Sequence, residues 1–132
     1  MSEDTLHRLR RGELAGISRL DLSCGLKELP REVLGLADTL EVLNLTGNAL
    51  SALPDDLGRL KKLCILFCSS NAFTTLPEVL GSCPSLSMVG FRANQISTVP
   101  SASLPTQLQW LILTENRLSQ LPADIGRCSR LQ

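Results

Sequence analysis

One frame, L-x-x-L-x-L-x-x-N-x-L, returns four times along this chain and leaves few folds open to it. The copies are Leu40-Leu43-Leu45-Asn48-Leu50, Leu63-Leu66-Cys68-Asn71-Phe73, Leu86-Val89-Phe91-Asn94-Ile96 and Leu108-Leu111-Leu113-Asn116-Leu118. Successive asparagines lie 22 or 23 residues apart, and a proline follows each copy: Pro54, Pro77, Pro100 and Pro122. A degenerate copy, Ile17-Leu20-Leu22-Cys24-Leu26 with Pro30, starts one period earlier. Self-similarity at this period means stacked units rather than one globular core. A single unit cannot bury its apolar edge alone.

Within each copy the x-L-x-L-x stretch alternates at period two, the mark of a strand with one buried face. Parallel strands are expected near 19–22, 42–45, 65–68, 88–91 and 110–113. Leu43 and Leu45 then point inward, while Val42, Asn44 and Thr46 point the other way. At the bend, an asparagine amide supplies both donors and an acceptor to backbone groups that have left the ladder. Asn48, Asn71, Asn94 and Asn116 are therefore expected to be buried and bonded to backbone. Beyond them the apolar spacing loosens, as in Pro54-x-x-Leu57-x-x-Leu60 and Pro77-x-x-Leu80-x-x-Cys83. That suits a short helical or 3₁₀ turn, with the proline at its first position.

These positions resemble the leucine-rich repeat from Ile17 to the end of the chain. The resemblance implies an α/β solenoid: a right-handed arc of about five coils, with short parallel strands on the concave face and helical or 3₁₀ turns on the convex one. The coils fall at 17–39, 40–62, 63–85, 86–107 and 108–130, and a sixth opens at 131. Residues 1–16 are expected to form an N-terminal capping helix, with Ser2 or Asp4 as its cap and Leu6, Leu9 and Leu14 facing the first coil. Solenoids end in atypical polar units, so the unfinished sixth copy predicts a longer polypeptide.

Thirteen basic residues balance thirteen acidic ones, so no overall field favours nucleic acid or anionic membrane. The Arg8-Leu9-Arg10-Arg11 run is too short for a nucleic-acid footprint and reads as a solvated helix face. Residues 1–16 lack an apolar signal core, and no apolar run is long enough to span a bilayer, which predicts a cytoplasmic protein. Asn44-Leu45-Thr46 matches a glycosylation sequon and reads as an ordinary strand triplet in that setting. Cys24, Cys68, Cys83 and Cys128 fall in apolar or asparagine columns and are expected to be buried free thiols rather than disulfides. His7 is the single histidine, which argues against a metal site and against Ser-His-Asp or Cys-His catalysis. Neither phosphate-cradling glycine loop occurs, nor do H-R-D, D-F-G or A-P-E. No catalytic residue, cofactor, metal or small-molecule substrate is expected in this chain.

The run "SRLDLSCGLKELPREVLGLADTLEVLNLTGNALSALPDDLGRL" from Ser18 to Leu60 resembles the N-terminal repeats of bacterial leucine-rich-repeat proteins fused to a protein-kinase-like domain. "LFCSSNAFTTLP", "MVGFRANQISTVP" and "LQWLILTENRLSQLP" extend the resemblance, as do the short bend at Cys24 and the extra residue in Ala37-Asp38-Thr39. It implies a regulatory or scaffold segment of a signalling enzyme whose kinase-like domain follows Gln132. It makes no residue of this chain catalytic.

Candidate binding residues come from the outward strand positions. Stacking aligns Arg19, Val42, Ile65, Met88 and Trp110 in one column; Asp21, Asn44, Phe67, Gly90 and Ile112 in the next; and Ser23, Thr46, Ser69, Arg92 and Thr114 in a third. An ordinary solvated face is mostly polar, yet Val42, Ile65, Phe67, Met88, Trp110 and Ile112 form an apolar patch bordered by Asn44 and Arg92, which marks an interaction face. Trp110 and Arg92 are the expected anchors. The expected occupant is a protein or peptide, or a downstream domain of the same polypeptide. Nucleic acid is disfavoured, because these columns supply only Arg19 and Arg92 as cations.

Overall fold

The structure is a computed structural model and describes residues 2–118. Five strands, β1 Arg19–Asp21, β2 Val42–Asn44, β3 Ile65–Phe67, β4 Met88–Gly90 and β5 Trp110–Ile112, form one parallel sheet in chain order. Each is one residue shorter than its expected span, although the next inward residue still bonds across: the Leu22, Leu45, Cys68 and Phe91 N–H groups donate to the Asn44, Phe67, Gly90 and Ile112 carbonyls. The register matches repeat against repeat: Leu20 pairs with Leu43, Leu43 with Leu66, Leu66 with Val89 and Val89 with Leu111. The alternating pattern therefore places every central leucine or valine on the same side of the sheet.

The return path of each coil is a 3₁₀ turn: Arg31–Leu36, Leu57–Arg59, Glu78–Ser82 and Ser101–Ser103. Pro30, Pro77 and Pro100 stand one residue before these turns, not at their first position. The correction has a geometric cause. Their ψ angles of 132°, 131° and 142° are extended, which aims each proline carbonyl at the N–H three residues on. Val33, Leu80 and Ser103 make those bonds, and Leu57 makes the equivalent bond to Pro54. Val33, Leu57 and Leu80 then point fully inward. In the fourth coil that place belongs to Ser103, whose hydroxyl donates to the Leu76 carbonyl at 2.7 Å and so can be buried.

Helix α1, Ser2–Arg10, occupies the front of the stretch expected to be helical; residues 11–16 are turns. Gly12, at φ 77°, ends the helix: its N–H reaches the Leu9 carbonyl while Glu13 N–H reaches that of Arg8. The helix packs against the first 3₁₀ turn, and Leu9 and Leu14 are buried. The interior is continuous from these leucines to Leu108. Within it Phe73 and Phe91, both fully enclosed, meet edge to face with ring centroids 5.0 Å apart. Cys83 is enclosed as expected, whereas Cys24 is only half-buried; Cys128 and Pro122 lie outside the described residues.

The asparagines form a ladder linking each coil to the one before it. Asn71 Oδ1 accepts the Leu50 N–H at 2.9 Å while its amide nitrogen donates to Leu45 and Cys68. Asn94 does the same between Phe73 N–H and the Cys68 and Phe91 carbonyls, and Asn116 between Ile96 N–H and Phe91 and Leu113. Asn48 accepts two N–H groups, from Cys24 and Leu26, across the shorter bend of the first coil. Only Asn94 is fully buried; Asn48, Asn71 and Asn116 are half-buried with their amides satisfied. Each is preceded by a residue with positive φ: Gly47, Ser70, Ala93 or Glu115.

Candidate interaction face

Because the sheet is in register, its outward positions make true columns. Arg19, Val42, Ile65, Met88 and Trp110 stand in one row of pairing partners, and Asp21, Asn44, Phe67, Gly90 and Ile112 in the next. Parallel strands lie about 4.8 Å apart, so neighbours in a row touch and shade one another. Sequence alone has all six apolar members open to solvent. In the structure Trp110 and Ile112 are exposed, at 38% and 39%, whereas Val42, Ile65, Phe67 and Met88 are half-buried. The patch is thus a packed floor through β2, β3 and β4 that rises into two open side chains on β5.

At the β1 side this floor meets a polar border. Arg19 grips Asp21 through Nε at 2.9 Å and Nη2 at 3.1 Å, two positions along the same strand face. The Arg19 guanidinium holds the Asp21 carboxyl below the usual carboxylate range; partial burial opposes this, and the Asn44 side chain assists it. Asn44 is half-buried, and its Oδ1 accepts the Thr46 N–H at 3.1 Å. That amide therefore belongs to the border rather than standing free. Along the third column, Arg92 is exposed and its Nη2 meets Glu115 Oε1 at 3.2 Å. Both arginines of the face have an acidic partner, so the site offers little net charge and much apolar surface.

One feature of the face is absent from the sequence candidates. Gly90 is buried although it occupies an outward position, and it is the only buried member of the two outward rows. A Cβ placed there would come within 2.7 Å of Phe67 Cδ1 and 3.2 Å of Cε1. The Phe67 ring leans from β3 over β4 and covers the glycine. The signal was readable in principle, since an aromatic and a glycine occupy matching positions in consecutive copies. Among the described residues no group of three or more His, Cys, Asp or Glu side chains is placed to hold a metal ion, and no helix is long and apolar enough to cross a membrane.

Residues 38–96 match the family model of the leucine-rich repeat. The solved structure of a leucine-rich-repeat protein from Leptospira interrogans is similar: 28% of residues are identical, the TM-score is 0.74, and the likeness covers 96% of this chain. This chain spans 38% of the length of that one. No curated protein matches it. Five in-register parallel strands, 3₁₀ returns and an asparagine at four of the five bends give the chain the architecture of a leucine-rich-repeat solenoid.

Proposed function

We propose, on the premise of a leucine-rich-repeat arc, that this chain is an interaction module whose concave face binds a protein or peptide. Arcs of this kind present extended concave surfaces and generally bind other proteins. The carrying observation is the apolar run Val42, Ile65, Phe67, Met88, Trp110 and Ile112 on outward positions of adjacent strands, with the largest residue of the row, Trp110, exposed. A ligand gains by covering side chains that the fold leaves in water, and large aromatics dominate such gains. Asn44 and Arg92 supply polar contacts at the rim, with Arg92 able to exchange its exposed Glu115 partner for a carboxylate of the ligand. The free cysteines fit a reducing cytoplasm: burial pushes the Cys83 thiol up to about 11 and Cys68 higher still, which keeps both protonated and inert.

Selection of peptides from a displayed library on the immobilised chain tests this reading. Selected peptides should lose about tenfold or more in affinity on Trp110→Ala, and retain it on Arg31→Ala, which removes the exposed pair with Asp56 outside the concave columns. Binders indifferent to Trp110→Ala and Ile65→Ser would place recognition elsewhere.

A second reading draws on the resemblance of Ser18–Leu60 to bacterial kinase-fused repeats: the arc is a regulatory or scaffold segment of a larger signalling enzyme, and a downstream domain of the same polypeptide occupies the concave face. A reading frame continuing into a lysine-bearing strand, H-R-D and D-F-G supports it. A stop codon or an unrelated domain ends it.

A further inference from the structure

We infer that Gly90 is a specificity-determining position of the concave site, acting as a seat that holds the Phe67 ring across the sheet. This rests on the concave-face reading above and assigns a role to a residue that has no side chain of its own to offer a ligand. Three observations carry it. Phe67 and Gly90 are register partners on β3 and β4. The ring atoms Cδ1 and Cε1 lie 2.7 and 3.2 Å from where a Gly90 Cβ would stand, closer than a side chain there would allow. Gly90 is buried on a face where every other outward strand position is exposed or half-buried.

The physical consequence is directional. An aromatic ring on an outward strand position ordinarily stands off the sheet, leaving gaps on either side of it. With Gly90 beneath it, the ring leans from β3 across β4 and covers the glycine. Ile65, Phe67 and Met88 then form one continuous floor beside the open Trp110 and Ile112 instead of separate projections. Gly90 has no positive φ, so its backbone accepts an ordinary side chain. The clash created by a Cβ falls on Cδ1 and Cε1, one side of an outward ring rather than backbone, so a turn of the Phe67 side chain relieves it. Gly90→Ala should therefore spare the fold and displace Phe67.

The test uses the full chain and an apolar fluorescent probe, 8-anilinonaphthalene-1-sulfonate, titrated into wild type, Gly90→Ala, Phe67→Ala, Trp110→Ala and the Gly90→Ala/Phe67→Ala pair. Gly90→Ala should weaken probe binding about five- to ten-fold with an unchanged thermal melt, yet have no further effect once Phe67 is alanine. In proton NMR the Gly90 Hα of the wild type should be shifted upfield by the ring above it. If Phe67→Ala and Trp110→Ala weaken the probe while Gly90→Ala does not, the concave reading stands and the seat is overturned. If the Gly90 Hα carries the ring shift but neither Phe67→Ala nor Trp110→Ala alters probe binding, the seat exists, the concave reading falls, and the role of Gly90 in recognition falls with it.

Discussion

The two sides of the same five strands follow different rules. Inward, the central residues are Leu20, Leu43, Leu66, Val89 and Leu111, nearly the same residue in every copy. Outward, the flanking pairs run from Arg19 and Asp21 on β1, through Val42 and Asn44, Ile65 and Phe67, Met88 and Gly90, to Trp110 and Ile112 on β5. The inner side repeats because each coil must present the next with the same apolar surface and the same asparagine bonds; a departure in one coil is felt by two neighbours. The outer side has no such constraint and changes from a self-paired ionic border to an apolar floor. What distinguishes this arc from any other of its kind is written on its outer side.

The largest expected effect lies in the inner ladder. Asn94→Leu strands the Phe73 N–H inside the fold and removes one of the two amide donors to each of the Cys68 and Phe91 carbonyls, which keep Asn71 and Asn116 respectively. At roughly 1–3 kcal/mol for the buried N–H left unpaired and about 1 kcal/mol for each lost carbonyl bond, the loss should be about 4 kcal/mol in urea denaturation. A loss below about 1 kcal/mol would mean that water replaces the amide and that the ladder is not structural.

Next comes a comparison within a single strand. Leu66→Ala removes a fully enclosed side chain and should cost about 3 kcal/mol, whereas Ile65→Ala, its half-buried outward neighbour, should cost about 1 kcal/mol or less. Equal costs would show that the outer floor serves the core as much as the inner side does. Trp110→Ala extends the contrast to a large aromatic. It should destabilise by well under the ~3–5 kcal/mol of a core aromatic, while removing an emission that acrylamide quenches readily. Blue, unquenchable emission combined with a large drop in melting temperature would move Trp110 to the inner side.

The smallest effect concerns the border. Asp21 is held below its ordinary range in the fold chiefly by Arg19, so its contribution to stability is fully present above the unfolded value, near 3.9, and fades as pH falls through the folded value. The pair is exposed, so the change should be small and should weaken further in salt. Arg19→Ala should return the Asp21 carboxyl, followed by carbon-13 NMR between pH 2 and 6, towards the ordinary range. An unmoved titration would show that Asn44 or the strand, rather than Arg19, sets it.

The places where sequence reading fell short share one cause. Proline type and spacing announced each 3₁₀ turn, yet the position of Pro30, Pro77 and Pro100 just before it depends on ψ, which proline does not fix. The cysteine in the asparagine column suggested burial, but the shorter first bend leaves Cys24 half-buried while Asn48 takes its N–H. Val42, Ile65, Phe67 and Met88 were recognisable as outward from alternation alone; their shading by one another is a lateral effect between strands 22 or 23 residues apart in sequence.

By itself the sequence determined the stacking of coils, the five strands and their parallel order, the asparagine bonds at each bend, and which side of each strand faces in. These follow from the two-residue period of a strand and from a repeat length that brings identical positions together, both properties of the chain read along its length. Tertiary structure alone decided the rest: the depth at which each asparagine sits, the closure of Arg19 on Asp21 and of Arg92 on Glu115, and the laying of the Phe67 ring over Gly90. Those outcomes depend on rotamers chosen across neighbouring coils, where volume and charge are settled between side chains that the sequence keeps a full repeat apart.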